Sequence, residues 1–185
     1  SEYADGSSLT RLVGAPPGYV GHHEPGQLTE AVRRNPYGVL LFDEIEKAHR
    51  DVTAALLQVL DAGRLTDAAG RTADFTHAVV IMTSNLGAEM IIGATAAARP
   101  VAEVREPLVA LARTHLRPEF VNRVDDIVLF SALTAADLRE ITGMLLAETR
   151  SRLTAQGVAL EVTDAAVSWL ASRGHEPAHG ARPLR

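Results

Sequence analysis

The chain has 185 residues, a formal net charge of −5 and no cysteine. Hydrophobic residues account for 46% and charged residues for 22%, which indicates a globular protein of one domain, or of one domain with a small companion. The absence of cysteine excludes disulfides, zinc–thiolate sites and thiol catalysis. The negative charge argues against a nucleic-acid-binding protein, and no apolar run reaches the roughly 20 residues of a membrane span. We therefore expect a cytoplasmic protein that binds neither nucleic acid nor membrane.

The basic residues are almost all arginines. Of the 18 lysines and arginines, only Lys47 is a lysine. A phosphate-binding P-loop requires a lysine between a glycine and a serine or threonine. Lys47 follows Glu46 and precedes Ala48, so these 185 residues contain no P-loop.

The first half of the chain combines loops, helices and strands. Its predicted elements are, in chain order, a loop at 12–26, a helix at 27–34, a strand at 39–42, a helix at 52–61 and a hairpin within 64–75. Glycines and prolines at 12–21 keep helix and strand out of the loop. Four consecutive apolar residues at 39–42 predict a strand buried on both faces of a parallel sheet. Asp51 is the expected N-cap of the second helix, and Gly63 its C-terminal stop.

The second half begins with another apolar strand and then becomes mainly helical. Its predicted elements are a strand at 78–83, a weakly patterned alanine-rich segment at 87–100, a helix at 103–115, a strand at 127–130, a helix at 134–154, a short strand at 157–162 and a helix at 163–172. Thr134 is the expected N-cap of the long helix. Thr163 or Asp164 caps the last helix, and Gly174 ends it.

The change from strands to helices divides the chain. Strands that alternate with helices predict an α/β fold with a parallel sheet. After Ser131 the sequence pattern becomes mainly helical. We therefore expect an α/β domain at 1–130 and a small, mainly helical domain at 131–185.

Two acidic residues follow the first apolar strand directly. A buried strand that ends in Asp43-Glu44 delivers both carboxylates to the carboxyl edge of the sheet, where open α/β folds bind ligands. Asp43 can then hold Mg²⁺ through its waters, and Glu44 can polarise a water for attack on a γ-phosphate. The alternative is a buried strand that merely ends in two acids.

Two further polar residues stand at positions that suit phosphate chemistry. Asn85 follows the second strand and can orient the attacking water or contact a γ-phosphate, although asparagine is also a common turn residue. Arg123 can neutralise charge on a transferred phosphoryl group, or it can be a surface arginine paired with Asp125 or Asp126.

Tyr19 lies in the glycine- and proline-rich loop. It is either an exposed aromatic residue on a turn or a side chain held out to grip another polymer, with Gly18 and Gly21 as flanking hinges.

The segments together resemble the second ATPase module of the Clp-type AAA+ unfoldases. The resemblance is strongest to the ClpB disaggregases, followed by their ClpC and ClpA relatives. It is carried by RLVGAPPGYVG at 11–21, GQLTEAVR at 26–33, LFDEIEKAH at 41–49, GRLTD at 63–67, MTSNLG at 82–87, RPEFVNRVD at 117–125 and GARPLR at 180–185. These stretches span nearly the whole chain in the order typical of the family.

The resemblance implies a fold and a set of nucleotide-site roles. The implied fold is an AAA+ three-layer parallel-sheet core, truncated and without the P-loop strand, followed by a small helical lid domain. Asp43 and Glu44 correspond to the Walker B metal-side and catalytic acids, and Asn85 to sensor 1. Arg123 corresponds to the arginine finger that acts on ATP in a neighbouring subunit, and Arg182 to sensor 2. The implied cofactors are ATP and Mg²⁺, with Asp43 on the metal side.

The resemblance also implies a polypeptide-binding role for two loops. Tyr19, with Gly18 and Val20, corresponds to the primary pore loop, and Gly70 with Arg71 corresponds to part of the secondary pore loop. Such proteins are homohexamers that thread unfolded or aggregated polypeptide through a pore by ATP hydrolysis, and a co-chaperone or a Clp peptidase is a further expected partner. The alternatives are a regulatory ATPase subunit of a Clp protease and, for the isolated chain, a non-catalytic interaction fragment.

The family pattern further implies a fragment cut at both ends. In the sheet order typical of the family, a P-loop strand lies between the strands that correspond to 79–83 and 127–130. Without that strand, we expect an incomplete sheet with unpaired backbone groups, and very weak ATP binding by the isolated chain. A gap at that position is the first expectation. A rearranged pairing of the two strands and a strand supplied by another chain are the others.

Overall fold

The computed structural model describes residues 8–15, 18, 25–97 and 99–174. Tyr19, Val20 and Arg182, to which the sequence assigns binding roles, lie outside the described residues. The chain divides into two compact units, one of residues 1–86 and 107–127 and the other of residues 87–106 and 128–185. Each unit is described by itself below.

The first unit contains both sheets and most of the core. Its elements are α1 (Ser8–Val13), α2 (Gln27–Arg34), β1 (Val39–Phe42), a 3₁₀ turn (Ile45–Lys47), α3 (Arg50–Ala62), β2 (Arg64–Thr66), β3 (Thr72–Asp74), β4 (Val79–Met82) and α6 (Pro118–Val121). Between β4 and α6, α4 (Ala88–Ala96), a second 3₁₀ turn (Val101–Val104) and α5 (Arg105–His115) follow in the chain. The sequence predicts no element at 87–100, so α4 is a helix that its weak pattern does not reveal.

The strands β1 and β4 form a two-stranded parallel sheet. Their register pairs Val39 with Val79 and Phe42 with Met82, so both strands end at the same edge. One face of each strand is half-buried and the other is exposed. On the exposed face lie Val39, Leu41, Val79 and Ile81. The prediction that these strands are buried on both faces is wrong for the described residues, in which no element covers that face.

The core of this unit packs α1, α2, α3, the β2–β3 hairpin and Phe120 of α6 into one apolar cluster. The antiparallel hairpin pairs Leu65 with Ala73, and both side chains are buried while their neighbours on the strands are exposed. This alternation matches a strand pair with one face toward a core. The predicted hairpin is therefore confirmed.

Helix α3 begins one residue earlier than its expected cap. Its N-cap is His49, whose ring Nδ1 accepts a hydrogen bond from the backbone N–H of Asp51 at 3.3 Å. Asp51 lies inside the first turn, where its negative charge favours the positive end of the helix dipole. The predicted Asp51 cap is wrong, because the adjacent imidazole provides the acceptor. Gly63 ends the helix with φ 65°, as expected for a left-handed C-cap.

Residues 127–130 form no strand in the structure. Their side chains still alternate, since Ile127 and Leu129 are half-buried while Val128 and Phe130 are exposed. A strand is defined by hydrogen bonds to a neighbour, and the described sheet contains only β1 and β4. The predictions of strands at 127–130 and at 157–162 are wrong for this reason.

The second unit is helical. Its two long helices, α7 (Ala135–Thr154) and α8 (Asp164–Arg173), pack against each other and bury Leu138, Thr142 and Ala171. Thr134 caps α7 in a capping box with Asp137, and Thr163 caps α8 through the backbone N–H of Ala166. The predicted cap of α7 is confirmed, and of the two candidates for the cap of α8 the structure selects Thr163 rather than Asp164. None of the described helices combines the length and apolar character that crossing a membrane requires.

Candidate functional site

The acidic pair lies at the carboxyl edge of the β1–β4 sheet. Because Phe42 is level with Met82, Asp43 lies beside Thr83. The Thr83 hydroxyl donates a short hydrogen bond to Asp43 Oδ1, and the Thr83 backbone N–H donates to the Phe42 carbonyl at 2.9 Å. The structure thus places Asp43 on an exposed sheet edge with one oxygen held by its neighbour strand.

Glu44 has an unusual backbone conformation. Its φ of 56° and ψ of 52° are left-handed, and it is the one residue other than glycine with positive φ in the described part of the chain. Its backbone N–H donates to Thr83 Oγ1 at 3.1 Å, and the next N–H, of Ile45, donates to the Thr83 carbonyl at 3.0 Å. Strained conformations of this kind persist only where surrounding contacts enforce them, and they cluster at functional sites.

The Glu44 side chain has a cationic partner. Lys47, the single lysine of the chain, lies one turn further on and places Nζ 2.5 Å from Glu44 Oε1. Both side chains are partly exposed, with 48% and 35% of their surface accessible. The pair therefore holds the carboxylate at the rim of the site while water retains access to it.

Thr83 is the site residue that sequence reasoning missed. It joins the acidic pair to the neighbouring strand through one hydroxyl, which donates to Asp43 and accepts from the Glu44 backbone. The available signal was a hydroxyl residue directly after an apolar strand, but its contact depends on the strand register. Asn85 lies two residues further along the same edge and is exposed.

Arg123 follows α6 and makes a contact that the sequence did not predict. Its Nε forms an ion pair with Asp61 Oδ1, near the end of α3, rather than with Asp125 or Asp126. The Arg123 side chain is 57% exposed. Its guanidinium therefore remains accessible to an anion from outside this unit.

A pocket of about 410 Å³ adjoins the acidic pair. It lies between α1, α2 and the end of β1, and its wall is mainly apolar. Leu12 and Leu28 are among its apolar lining residues, and its polar lining residues are Gln27, Asp43 and Glu44. A cavity with an apolar wall and a few polar lining residues has the character of a ligand site.

The turn that carries Gly70 and Arg71 is built around a buried carboxylate. Asp67 is 5% exposed, and its side chain accepts hydrogen bonds from the backbone N–H groups of Ala69 and Arg71 at 3.0 and 2.8 Å. Arg71 Nε adds a bond at 3.0 Å, and Arg33 Nη1 of α2 adds one at 3.1 Å. Burial alone raises the pKa of Asp67, but the Arg71 N–H and the two guanidiniums outweigh it and hold that pKa below its ordinary value.

Gly18 and Gly70 both adopt positive φ, 97° and 79°, and a Cβ built on either meets no atom within 4 Å. Both glycines are exposed. Their conformations rather than their surroundings therefore require glycine.

The comparisons with known proteins identify the family to which the chain belongs. A model of the AAA domain (Cdc48 subfamily) matches residues 1–127. The chain belongs to the AAA domain family. A second model, of the C-terminal D2-small domain of ClpB protein, matches residues 133–185. The predicted fold class, an AAA+ core segment followed by a small helical domain, is confirmed.

The chain is similar over its whole length to curated ClpB chaperones. It is 52% identical to the chaperone protein ClpB of Enterococcus faecalis, with all of this chain and 21% of that protein covered. It is also 52% identical to that of Streptomyces albus, again with 21% of the relative covered. The chain therefore spans about a fifth of the length of these relatives. The resemblance to the ClpB disaggregases is confirmed.

A solved structure shows the same fold. The Saccharomyces cerevisiae Hsp104:casein complex in its extended conformation matches with a TM-score of 0.84 and 40% identity. The match covers 96% of this chain and 31% of that one.

Proposed function

We propose that the chain is part of an ATP-driven protein disaggregase that threads unfolded or aggregated polypeptide through the pore of a homohexamer. The observation that carries the proposal is the edge of the β1–β4 sheet, where Thr83 holds the Asp43–Glu44 pair in place. The ClpB names of the relatives favour a disaggregase over a regulatory subunit of a Clp protease. We further propose that a longer polypeptide supplies the P-loop and that a boundary at residue 130 separates its large and small ATPase domains.

Asp43 and Glu44 take different parts in hydrolysis. Asp43 is exposed and offers the hard carboxylate oxygen that Mg²⁺ prefers, so the residues present fit the ion. Mg²⁺ retains several waters in nucleotide sites, so one protein carboxylate is sufficient there. The ion, when bound with ATP, neutralises charge on the phosphates. Glu44 then acts as the base that accepts a proton from the attacking water.

The remaining polar residues complete the nucleotide site. Asn85, on the same sheet edge, orients the attacking water as sensor 1. Arg123 reaches ATP in the neighbouring subunit, and its partly exposed pair with Asp61 supports this role because an exposed ion pair of about 0–1 kcal/mol exchanges readily for a phosphate partner. Arg182 reports the γ-phosphate as sensor 2.

The polypeptide is gripped by two loops. Tyr19, with Gly18 and Val20, forms the primary contact, and the turn at Gly70 and Arg71 forms the secondary one. The Hsp104 structure contains casein, which supports a polypeptide client for this chain as well. We place the protein in the cytoplasm, with a co-chaperone as a further partner.

The test is Glu44→Gln in the full-length polypeptide that carries this chain. The amide retains the size of the side chain but accepts no proton, so ATP turnover falls by about 10²-fold or more while ATP binding persists. Glu161→Gln, an exposed glutamate of the second unit, is the matched control and leaves turnover unchanged. Turnover that survives Glu44→Gln would refute the assignment of the base.

A further inference from the structure

Asp67 lies where two segments of the first unit meet. Within its own turn, it accepts hydrogen bonds from the backbone of Ala69 and from the backbone and side chain of Arg71. Beyond its turn, Asp67 Oδ2 accepts a hydrogen bond from Nη1 of Arg33, in α2, at 3.1 Å. Its side chain is 2% exposed, so these partners replace water almost completely.

The same turn is tied to both ends of segment 16–24, which carries Tyr19. At the first end, the backbone N–H of Ala68 donates to the Val13 carbonyl at 2.9 Å. The two flanks are joined to each other where Gly14 pairs with Pro25 in an isolated antiparallel bridge. Gly26 then lies so close to this backbone that a Cβ on it would come within 2.6 Å of Val13 Cα. Helix α2, which holds Arg33, starts at the next residue.

We propose that Asp67 is a positioning residue that couples the turn at 67–71 to α2 and to residues 13–14 and 25–26, which flank segment 16–24, so that the turn and these flanks move as one body. This inference rests on the proposed function for its consequence, which is that a client held by one loop is passed to the other. The connection itself rests on the contacts of Asp67 and Ala68 and on the Gly14–Pro25 bridge.

The charges around Asp67 show which bond carries the coupling. Arg33 also pairs with Glu30 at 2.6 Å, within its own helix. Arg34 pairs with Glu30 at 3.1 Å and is 77% exposed, and the structure gives it no bond to Asp67. Arg33 thus joins α2 to the turn, whereas Arg34 contributes only within α2. The two neighbouring arginines form a matched pair for an experiment.

The first readout is amide hydrogen exchange in the full-length polypeptide, and it needs no activity. Arg33→Gln is expected to raise exchange about tenfold both in the turn 67–71 and in segment 8–15, because a charge-assisted bond to a buried carboxylate is lost. Arg34→Gln leaves both segments within about twofold of the unsubstituted protein. An increase confined to the turn overturns the coupling, and so does an equal effect of the two substitutions.

The second readout separates coupling from general damage. Arg33→Gln and Asp67→Asn are expected to lower casein-stimulated ATP turnover about tenfold, and Arg33→Gln, which lies outside the turn, is expected to leave basal turnover within about twofold. Asp74→Asn is the control for Asp67→Asn, since Asp74 lies in the same hairpin and bonds Thr76 of its own segment. The double variant Arg33→Gln with Asp67→Asn is expected to be no worse than Asp67→Asn alone, because Asp67→Asn already removes the carboxylate that Arg33 binds.

The outcomes distinguish this inference from the proposed function. An equal loss of basal and stimulated turnover in both variants overturns the coupling and indicates a structural role for Asp67. If Asp67→Asn does not fold, Arg33→Gln decides alone. An unsubstituted full-length protein without ATP turnover refutes the proposed function, and hydrogen exchange still decides whether the two segments are joined.

Discussion

The left-handed backbone of Glu44 predicts a measurable strain at the candidate catalytic base. A side chain in this region costs about 1–2 kcal/mol, which glycine does not incur. Glycine in turn loses more chain entropy on folding, by about 0.5–1 kcal/mol. The net expectation is that Glu44→Gly unfolds with a free energy about 0.5–1 kcal/mol higher than Glu44→Gln.

The choice of Glu44→Gln as reference removes the other differences. Both variants lose the ion pair with Lys47, which is partly exposed and contributes about 0–1 kcal/mol, so this term cancels. Both keep the hydrogen bond of the residue 44 backbone N–H to Thr83 Oγ1. Glutamine retains the size of the side chain and therefore the strain. The comparison isolates the backbone conformation.

Urea unfolding of the 185-residue chain, followed by far-ultraviolet circular dichroism, measures the difference. The same change corresponds to a melting temperature about 2 °C higher for the glycine variant. Equal stabilities, or a less stable glycine variant, would refute strain at Glu44. Both variants are expected to hydrolyse ATP about 10²-fold or more slowly in the full-length polypeptide, so the glycine variant gains stability at the expense of function.

Three further predictions test the packing and the subunit contact. Gly26→Ala lowers the free energy of unfolding by about 1–3 kcal/mol, since φ is an ordinary −60° but the new Cβ meets the backbone of Val13. Gly143→Ala raises the free energy of unfolding by about 0.5–1 kcal/mol, because residue 143 lies inside α7 and a Cβ on it has no atom within 4 Å. Urea titrations compare both variants with the unsubstituted chain. Arg123→Ala slows ATP hydrolysis in the full-length polypeptide, and mixing with Glu44→Gln subunits restores part of it in an ATPase assay. If ATP hydrolysis is not restored at any mixing ratio, Arg123 does not act across a subunit boundary.

Local patterns predicted the elements whose signals are contained in a few neighbouring residues. The apolar runs that became β1 and β4, the caps at Thr134 and Thr163, and the stop at Gly63 were all read correctly. Each depends on the propensities or hydrogen bonds of residues close in the chain. The Asp51 cap was predicted wrongly within the same range, because the imidazole of His49 accepts the hydrogen bond from the backbone N–H of Asp51.

The acidic pair was predictable for a related reason. A strand that ends in Asp43-Glu44 places both at the carboxyl edge of whatever parallel sheet it joins. The family resemblance added the identity of the fold and roles for residues such as Asn85, which no local pattern distinguishes from a turn residue.

Only the tertiary structure decided which distant groups meet. Thr83 reaches Asp43 through the strand register, Arg123 finds Asp61 rather than a nearer aspartate, and Asp67 joins Arg33 across 34 positions. The left-handed Glu44 and the absence of a strand at 127–130 have the same origin. Backbone strain persists only when remote contacts enforce it, and an apolar segment becomes a strand only when a neighbour accepts its hydrogen bonds. The sequence alone determined which residues have the chemistry for these contacts, and the packing of the chain selected the partners.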